Sequence, residues 1–388
     1  MQAVLSREEK GRMIAEQPNA IMREGERFFK VTSQSGHGMY DVTRKENGSY
    51  LCTCPDFTYR SVISGQGQLL RCKHIIACQI RYEMREKVRE NIIIKPVEVT
   101  ACLFCHGTEL KKFGLRHNKY GDIQRFLCAD CQRTFSVNLG FERMKHSPQG
   151  IATAMQLYFS GESLRNTARS LRLIGVQVSY RTVLNWINKY TALMEKYLDK
   201  ITPQVSDTWR ADELFLKVKG NMKYLYALMD DQTRFWIAQE VADTKFTADL
   251  RPLFQQGKRI AEKKPMTLIT DGAPNFHEAY LQEFYTKRLE TRTEHIREIA
   301  LDGVRHNNKM ERMNGELRQR EKVMRTLERP DTAILTGMQI YHNFVRPHEA
   351  LNGKTPAELA GIKVDGENKW LTLIQNASQS LKNKSHVN

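Results

Sequence analysis

The stretches TWRADELFLKV (208–218), MTLITDG (266–272) and NNKMERMNGELRQR (307–320) decide how this chain is read. The first is extended in pattern and holds Asp212. The second is a short apolar run that ends at an Asp-Gly turn, with Asp271 at its edge. The third is strongly helical and carries Glu311. Two acids on strands and one on a helix can converge on a single point. Magnesium takes hard oxygen ligands, commonly one or two carboxylates, and completes its shell with water and phosphate oxygens. Two such ions about 4 Å apart can activate an attacking oxygen and stabilise a departing one. Three converging carboxylates therefore suit metal-dependent phosphodiester chemistry.

The carboxylates near these acids have other roles. Glu213 faces the opposite side of the strand from Asp212, because successive side chains alternate. Asp230 and Asp231 follow the strand-like KYLYALM and read as a turn into the next strand, RFWIAQEV. On the helix, Asn308, Glu311, Gly315 and Arg318 share one stripe, and Met310, Met313, Leu317 and Met324 form an apolar one. The helix is expected to pack through its apolar stripe and leave Glu311 and Arg318 at a cleft. From Arg305 to Arg329 eight Lys/Arg stand against four Glu, which fits a helix facing a phosphate backbone. A solvated helix charge with i,i+4 partners is the other reading of Arg318.

Residues from about Trp209 to Ile362 resemble the catalytic domain of insertion-sequence DDE transposases. The resemblance rests on Asp212 and Glu213 after a strand, on LITDG around Asp271, and on Asn307, Asn308 and Glu311 in an NNxxE pattern. It extends to YHNFVRPHEALNGKTPAELAGI (Tyr341 to Ile362), which is similar to the tail that follows the glutamate in many such enzymes. Intervals of 59 residues from Asp212 to Asp271 and 40 from Asp271 to Glu311 also suit the family. The resemblance implies an RNase H-like mixed sheet flanked by helices, with Asp212, Asp271 and Glu311 as catalytic ligands of Mg2+ (or Mn2+). It also implies a DNA contact for Arg318, since many related enzymes carry a basic residue seven after the glutamate.

The whole chain has 60 Lys plus Arg against 44 acids, a formal net charge of +16, and a field that favours polyanions. An anionic membrane surface would also attract it. The sequence has no run of about 18 apolar residues and no secretory leader pattern, so a soluble, cytoplasmic, DNA-associated protein is expected, with no membrane partner.

Seven of the eight cysteines fall into paired motifs, and Cys78 stands alone. Without a leader, metal sites are favoured over disulfides. Cys52-x-Cys54, seventeen residues, and Cys72-x-His74 offer three thiolates and one imidazole, a tetrahedral zinc set. The flanks FFKVTSQ and MYDVTR read as strands, SYLCTC carries the first ligand pair, and CKHIIACQIRYEMREKVREN, which begins at Cys72, reads as a helix; together they resemble the SWIM zinc finger. Cys78 lies on that helix as a small buried residue. Cys102-x-x-Cys105, 22 residues, and Cys128-x-x-Cys131 form a second set with zinc-ribbon spacing. Its four thiolates complete a shell, leaving His106 and His117 to solvent. Two structural Zn2+ are expected.

Between ribbon and catalytic segment, SPQGIATAMQLYFSG, ESLRNTARSLRL and SYRTVLNWINKYTALMEKYLDKI read as three helices, with starts near Ser163 and at an N-cap on Ser179. The last two resemble a helix-turn-helix whose third helix enters the major groove, which makes Arg181 and Asn185 base or phosphate contacts. The run from Trp186 to Leu198 also suits a spacer or dimerisation helix.

The expected architecture is multidomain α/β: a SWIM-type finger (1–95), a zinc ribbon (96–145), a helix-turn-helix region (146–203), the DDE catalytic domain (204–362) and a polar C-terminal tail (363–388) that contains the amphipathic piece NKWLTLIQNAS. Thr202-Pro203-Gln204 is the best hinge. The expected function is a transposase that binds terminal inverted repeats and performs strand cleavage and strand transfer on double-stranded DNA, at element ends and target. Pairing two ends calls for a homodimer or higher oligomer. A catalytically silent DNA-binding regulator and a metal-dependent nuclease without strand transfer are the alternatives.

Overall fold

The computed structural model describes residues 6–17, 20–25, 27–34, 36, 38–63, 71–87, 91–102, 104–118, 121–136, 139–142, 144–297, 308–323, 327 and 332–385. Asn307 and Met324, singled out above, lie outside these residues, as do 88–90 in the segment after Cys72. Along the chain run α1 (Arg7–Glu16), β1 (Ile21–Arg23), β2 (Phe28–Thr32), β3 (Met39–Arg44), β4 (Tyr50–Cys52), α2 (Pro55–Ile63), α3 (Lys73–Lys87), β5 (Ile92–Ile94), β6 (Leu110–Asn118), β7 (Gly121–Cys128) and β8 (Thr134–Ser136). Three helices follow, α4 (Pro148–Ser160), α5 (Leu164–Leu173) and α6 (Tyr180–Leu198). Then come β9 (Thr208–Val218), β10 (Asn221–Asp230), β11 (Trp236–Ala242), α7 (Thr247–Ala261), β12 (Thr267–Thr270), α8 (Pro274–Glu283), β13 (Glu294–Arg297), α9 (Asn308–Glu321), α10 (Ala333–Ile340), α11 (Pro356–Leu359), β14 (Ile362–Val364) and α12 (Lys369–Ser385).

Two compact units divide the chain. Met1–Asn91, Thr202–Leu216 and Met222–Asn314 form the first, and Ile92–Ile201, Lys217–Asn221 and Gly315–Asn388 the second.

The first unit contains a five-stranded sheet in the order β11-β10-β9-β12-β13. Lys219 and Gly220, both at positive φ, form the two-residue turn between β9 and β10, the geometry whose twist suits a hairpin. β10 pairs antiparallel with β11, whereas β12 runs parallel to both β9 and β13. The sheet is thus mixed and helix-flanked, as the resemblance implied. Asp230 closes the β10–β11 turn from inside: fully buried, it accepts hydrogen bonds from Ser206 and Thr233. α7 lies close on the sheet at Gly257, where a Cβ would stand 2.3 Å from the Leu228 side chain and 3.5 Å from Trp209.

The same unit holds the four-stranded antiparallel sheet β1-β2-β3-β4 with α1 and α3 over it, around a core of Ile14, Phe29, Val31, Val42, Ile75 and Cys78. This N-terminal module is tied to the connection that leads into β12. The Arg23 and Lys264 amides bond to the Glu262 and Arg23 carbonyls at 3.2 and 3.3 Å, and Arg81 pairs with Glu262 at 2.5 Å.

In the second unit β6-β7-β8 form a small antiparallel sheet. The three expected helices α4, α5 and α6 start at N-caps Ser147, Ser163 and Ser179, each hydroxyl accepting a first-turn amide. Gly175, at φ +81°, ends the α5 turn where a Cβ would be strained. Residues 92–94 pair in parallel with 362–364, and α12 buries Trp370, Leu373, Ile374 and Ala377. The amphipathic piece in the polar tail is therefore the apolar face of a packed helix. No described helix is long and apolar enough to cross a membrane.

Candidate active site and metal centres

β9 and β12 pair in the register Thr208↔Thr267, Trp209↔Leu268 and Arg210↔Ile269. That offset is 59 residues, the interval between Asp212 and Asp271. Asp271 directly follows the last residue of β12, two positions beyond the final pair of that ladder, and its charge acts on Asp212.

α9 supplies the third acid. Its Met310 and Met313 are buried while Asn308, Glu311 and Arg318 are exposed, the division that the periodicity predicted; Leu317, further along, is buried as well. Two contacts fix the start of α9. Asn314 Nδ2 donates to Asp212 Oδ2 at 2.8 Å, from a side chain that is only 3% exposed. Lys309 Nζ bonds both the carbonyl and the carboxylate of Asp231 at 2.8 Å, and Asp231 also receives Arg210. Glu311 lies three residues before Asn314, on an adjoining part of the same helix.

Asp212 feels the other two acids. Burial, foremost, pushes the Asp212 carboxyl up to about 6; the Glu213 amide opposes this, and the charges of Asp271, Glu213 and Glu311 add to it. A half-buried carboxylate facing two exposed ones is a locus of unbalanced negative charge, which a divalent cation would neutralise. Among the described residues only the two cysteine-containing sets bring three or more candidate ligand atoms within 4.8 Å of one another. The acids are spaced more widely, as suits a site whose metal shell is completed by water and phosphate oxygens. Glu213 turns away, to Lys245.

The turn at Asp271 has its own support. Asp271 Oδ1 accepts the Ala273 amide at 3.0 Å, Gly272 takes φ +87°, and Arg297 donates to the Gly272 carbonyl at 2.7 Å. Behind it Thr270 Oγ1 meets His295 Nε2 at 3.0 Å, and burial, with His277 and Arg297 nearby, lowers the His295 pKa to about 4. A neutral imidazole therefore backs the strand end at physiological pH.

Asn314, Lys309 and the Arg210–Asp231 pair escaped sequence reasoning. Only the i,i+3 spacing of Asn314 from Glu311 hinted at its place, and nothing local links Asp231 to a helix 78 residues later.

Cys52, Cys54, Cys72 and His74 are all buried, with ligand atoms within 4.8 Å of one another. Cys52 Sγ lies 3.9 Å from His74 Nδ1, and backbone amides of Cys54 and Phe57 point at sulfur at 3.4 Å. Cys102, Cys105, Cys128 and Cys131 form the second such set. Its two loops repeat one geometry: His106 and Gln132, each just after the second cysteine, take φ +60° and +56° and bond back to the first cysteine's carbonyl. None of the eight cysteines forms a disulfide. Amides aimed at clustered sulfurs stabilise thiolates, so both sets fit tetrahedral zinc. Cys78 is buried outside the first set, its thiol pushed up chiefly by burial. His106 and His117 are exposed. Arg181 and Asn185 are exposed on the first turns of α6.

Residues 206–348 match the family model described as a DDE domain, and this span contains Asp212, Asp271 and Glu311. The chain is similar to the transposase for insertion sequence-like element IS431mec of Staphylococcus aureus (strain Mu50 / ATCC 700699), 27% identical over 142 residues, covering 35% of this chain and 61% of that protein. It is equally similar to the transposase for insertion sequence element IS257 in transposon Tn4003 of Staphylococcus aureus, with the same identity and coverage. The chain thus spans about three fifths of the length of these relatives. Among solved structures, the HTLV-2 integrase catalytic core domain in complex with magnesium aligns with a TM-score of 0.31 and 21% identity, over 41% of this chain and 98% of that one. The simian T-cell lymphotropic virus intasome in complex with PP2A regulatory subunit B56 gamma aligns with a TM-score of 0.33 and 15% identity, over 55% and 74%.

Proposed function

We propose that this chain is a DDE-type transposase, with an RNase H-like catalytic domain, that binds the terminal inverted repeats of a mobile element and joins its ends to target DNA. The observation that supports the reading is the 59-residue offset of the β9–β12 register, equal to the interval between Asp212 and Asp271, within a span that matches a DDE domain, with α9 bonded to Asp212 through Asn314.

Asp212, Asp271 and Glu311 would hold Mg2+ (or Mn2+). When bound, the metal lowers the pKa of an attacking water or 3′-hydroxyl and stabilises the departing oxygen. The residues do the rest. Asn314 and the Glu213 amide each hold one oxygen of Asp212, so the group is oriented. The Asp271 turn, braced by Ala273 and Arg297, keeps the second carboxylate exposed toward the incoming strand. In strand transfer the 3′-hydroxyl oxygen bonds to the target phosphorus as the target's own 3′-oxygen leaves. One phosphodiester forms for one broken, and no protein nucleophile is needed.

In this reading the two cysteine-containing sets bind structural Zn2+, the first in a SWIM-type finger. Residues 1–95, 96–145, 146–203 and 204–362 act as finger, ribbon, helix-turn-helix and catalytic domain. Arg181, Asn185 and Arg318 contact DNA, and the active form is a homodimer or larger assembly on DNA. The test incubates the protein and an Asp271→Asn variant with duplexes that end in the element's terminal repeats, a supercoiled target and magnesium. Joined strands from the unaltered protein only are expected. Binding without cleavage by either protein would replace the proposal with a DNA-binding regulator, and hydrolysis without joining would replace it with a nuclease.

A further inference from the structure

The α5 helix carries Arg165, Arg169 and Arg172 at i, i+4 and i+7, on the face opposite its buried Leu164, Thr167, Ala168 and Leu171. All three are exposed, and among the described residues none has an acidic partner. Like charges at i,i+4 work against a helix, so such a stripe is at odds with local stability unless something anionic meets it. The three guanidinium groups do not stand on a convex surface. With Ser179 and Tyr180 they line a cleft of about 630 Å³ between α5 and the start of α6. Arg165 stacks over the Tyr180 ring at 5.6 Å from its centroid, which holds one guanidinium at the wall. The opening turn of the 19-residue α6 presents its amide end, the positive pole of the helix, to the same region.

We propose that this cleft grips the phosphate backbone of duplex DNA, through Arg165, Arg169 and Arg172. The inference rests on the transposase reading and adds to it a site separate from Arg181 and Asn185. Guanidinium groups suit the task because their fixed fork of donors matches two phosphate oxygens at once. Spaced over two helical turns, about 10 Å, they span successive phosphates of one strand rather than a single anion. Backbone contacts fix register and orientation without reading sequence, so the cleft sets how α6 approaches the bases.

The experiment follows binding of the full-length protein to a fluorescein-labelled duplex that carries the element end, and to a scrambled duplex, by anisotropy at a series of salt concentrations. Each phosphate contact contributes about 0.9 to the slope of log affinity against log salt. Replacing all three arginines by alanine should lower the slope by about 2.7. The unaltered protein then loses about 40-fold more affinity than the variant between about 50 and 200 mM salt. The loss should be equal on both duplexes, and the Arg165→Lys, Arg169→Lys, Arg172→Lys variant should keep most of the slope. Circular dichroism confirms that the variants are folded. An unchanged slope in the alanine variant overturns the proposal, as does a loss confined to the element-end duplex. Saturation of the cleft by inorganic phosphate alone, with the slope intact, also overturns it, in favour of a small-anion site. Failure of the unaltered protein to bind either duplex would instead overturn the transposase reading itself.

Discussion

Asp212→Asn should stabilise the metal-free protein at neutral pH and destabilise it in acid. The gap between about 6 and the ordinary 3.8 corresponds to about 3 kcal/mol against the ionised carboxylate. Asp212 is half-buried, and solvent screening reduces this to about 2 kcal/mol. An asparagine keeps the shape but turns one of the two oxygens, which accept the Glu213 amide and Asn314 Nδ2, into a donor facing a donor. That loss costs about 1 kcal/mol. The sign follows from linkage: a carboxyl whose folded pKa is raised favours folding below the unfolded pKa and loses that contribution as pH rises through about 6. At pH 8 the variant should therefore be more stable by about 1 kcal/mol, roughly fivefold in the folding equilibrium. Near pH 4 only the lost bond remains, and the variant should be less stable by about 1 kcal/mol. The assay is urea denaturation, read by the fluorescence of Trp209 and Trp236, both buried in the sheet. It runs in magnesium-free buffer without chelator, so that any bound zinc stays. Magnesium at pH 8 should stabilise the original protein and leave the variant unaffected. A stability difference that stays flat from pH 4 to pH 8 would mean that Asp212 is not raised by burial, and equal stabilisation of both proteins by magnesium that it is not a metal ligand.

Asn314→Ala removes a buried donor from Asp212 and should cost about 2 kcal/mol of stability. It should also reduce strand transfer at least tenfold with duplex affinity unchanged, measured by anisotropy beside the joining assay. Elemental analysis should find two zinc ions per chain and one in either Cys72→Ser or Cys128→Ser; two zinc ions retained in either variant would count against its assigned set. Gly257→Ala drives a methyl into the buried Leu228 side chain and should cost about 1–3 kcal/mol by overpacking, seen as a lower urea midpoint. An unaltered midpoint would mean that α7 does not lie as close to the sheet as described.

How far the sequence reached is clearest in the helices. Ser163 and Ser179 cap α5 and α6 where expected, because a cap and an apolar period act within a few residues. Metal-ligand spacing is similarly short-ranged at its two ends: each CxxC, the CxC and the CxH are local geometry. The assembly of those halves is not, and neither is the grouping of residues 1–91 with the sheet of 208–297. That grouping runs through Glu262 and Lys264, residues with no distinguishing local pattern.

At the acids the division is sharpest. Their identity, their order and the face of α9 that Glu311 occupies are legible in the residues, since alternation and a 3.6-residue period assign faces from neighbouring residues alone. That the interval of 59 residues is also a strand register emerges only in the folded chain. Folding alone bonded Asn314 to Asp212 across 102 positions and raised the Asp212 carboxyl by burying it near two other acids. Register, burial and charge proximity depend on which segments meet once the chain has closed, and no local preference carries that information.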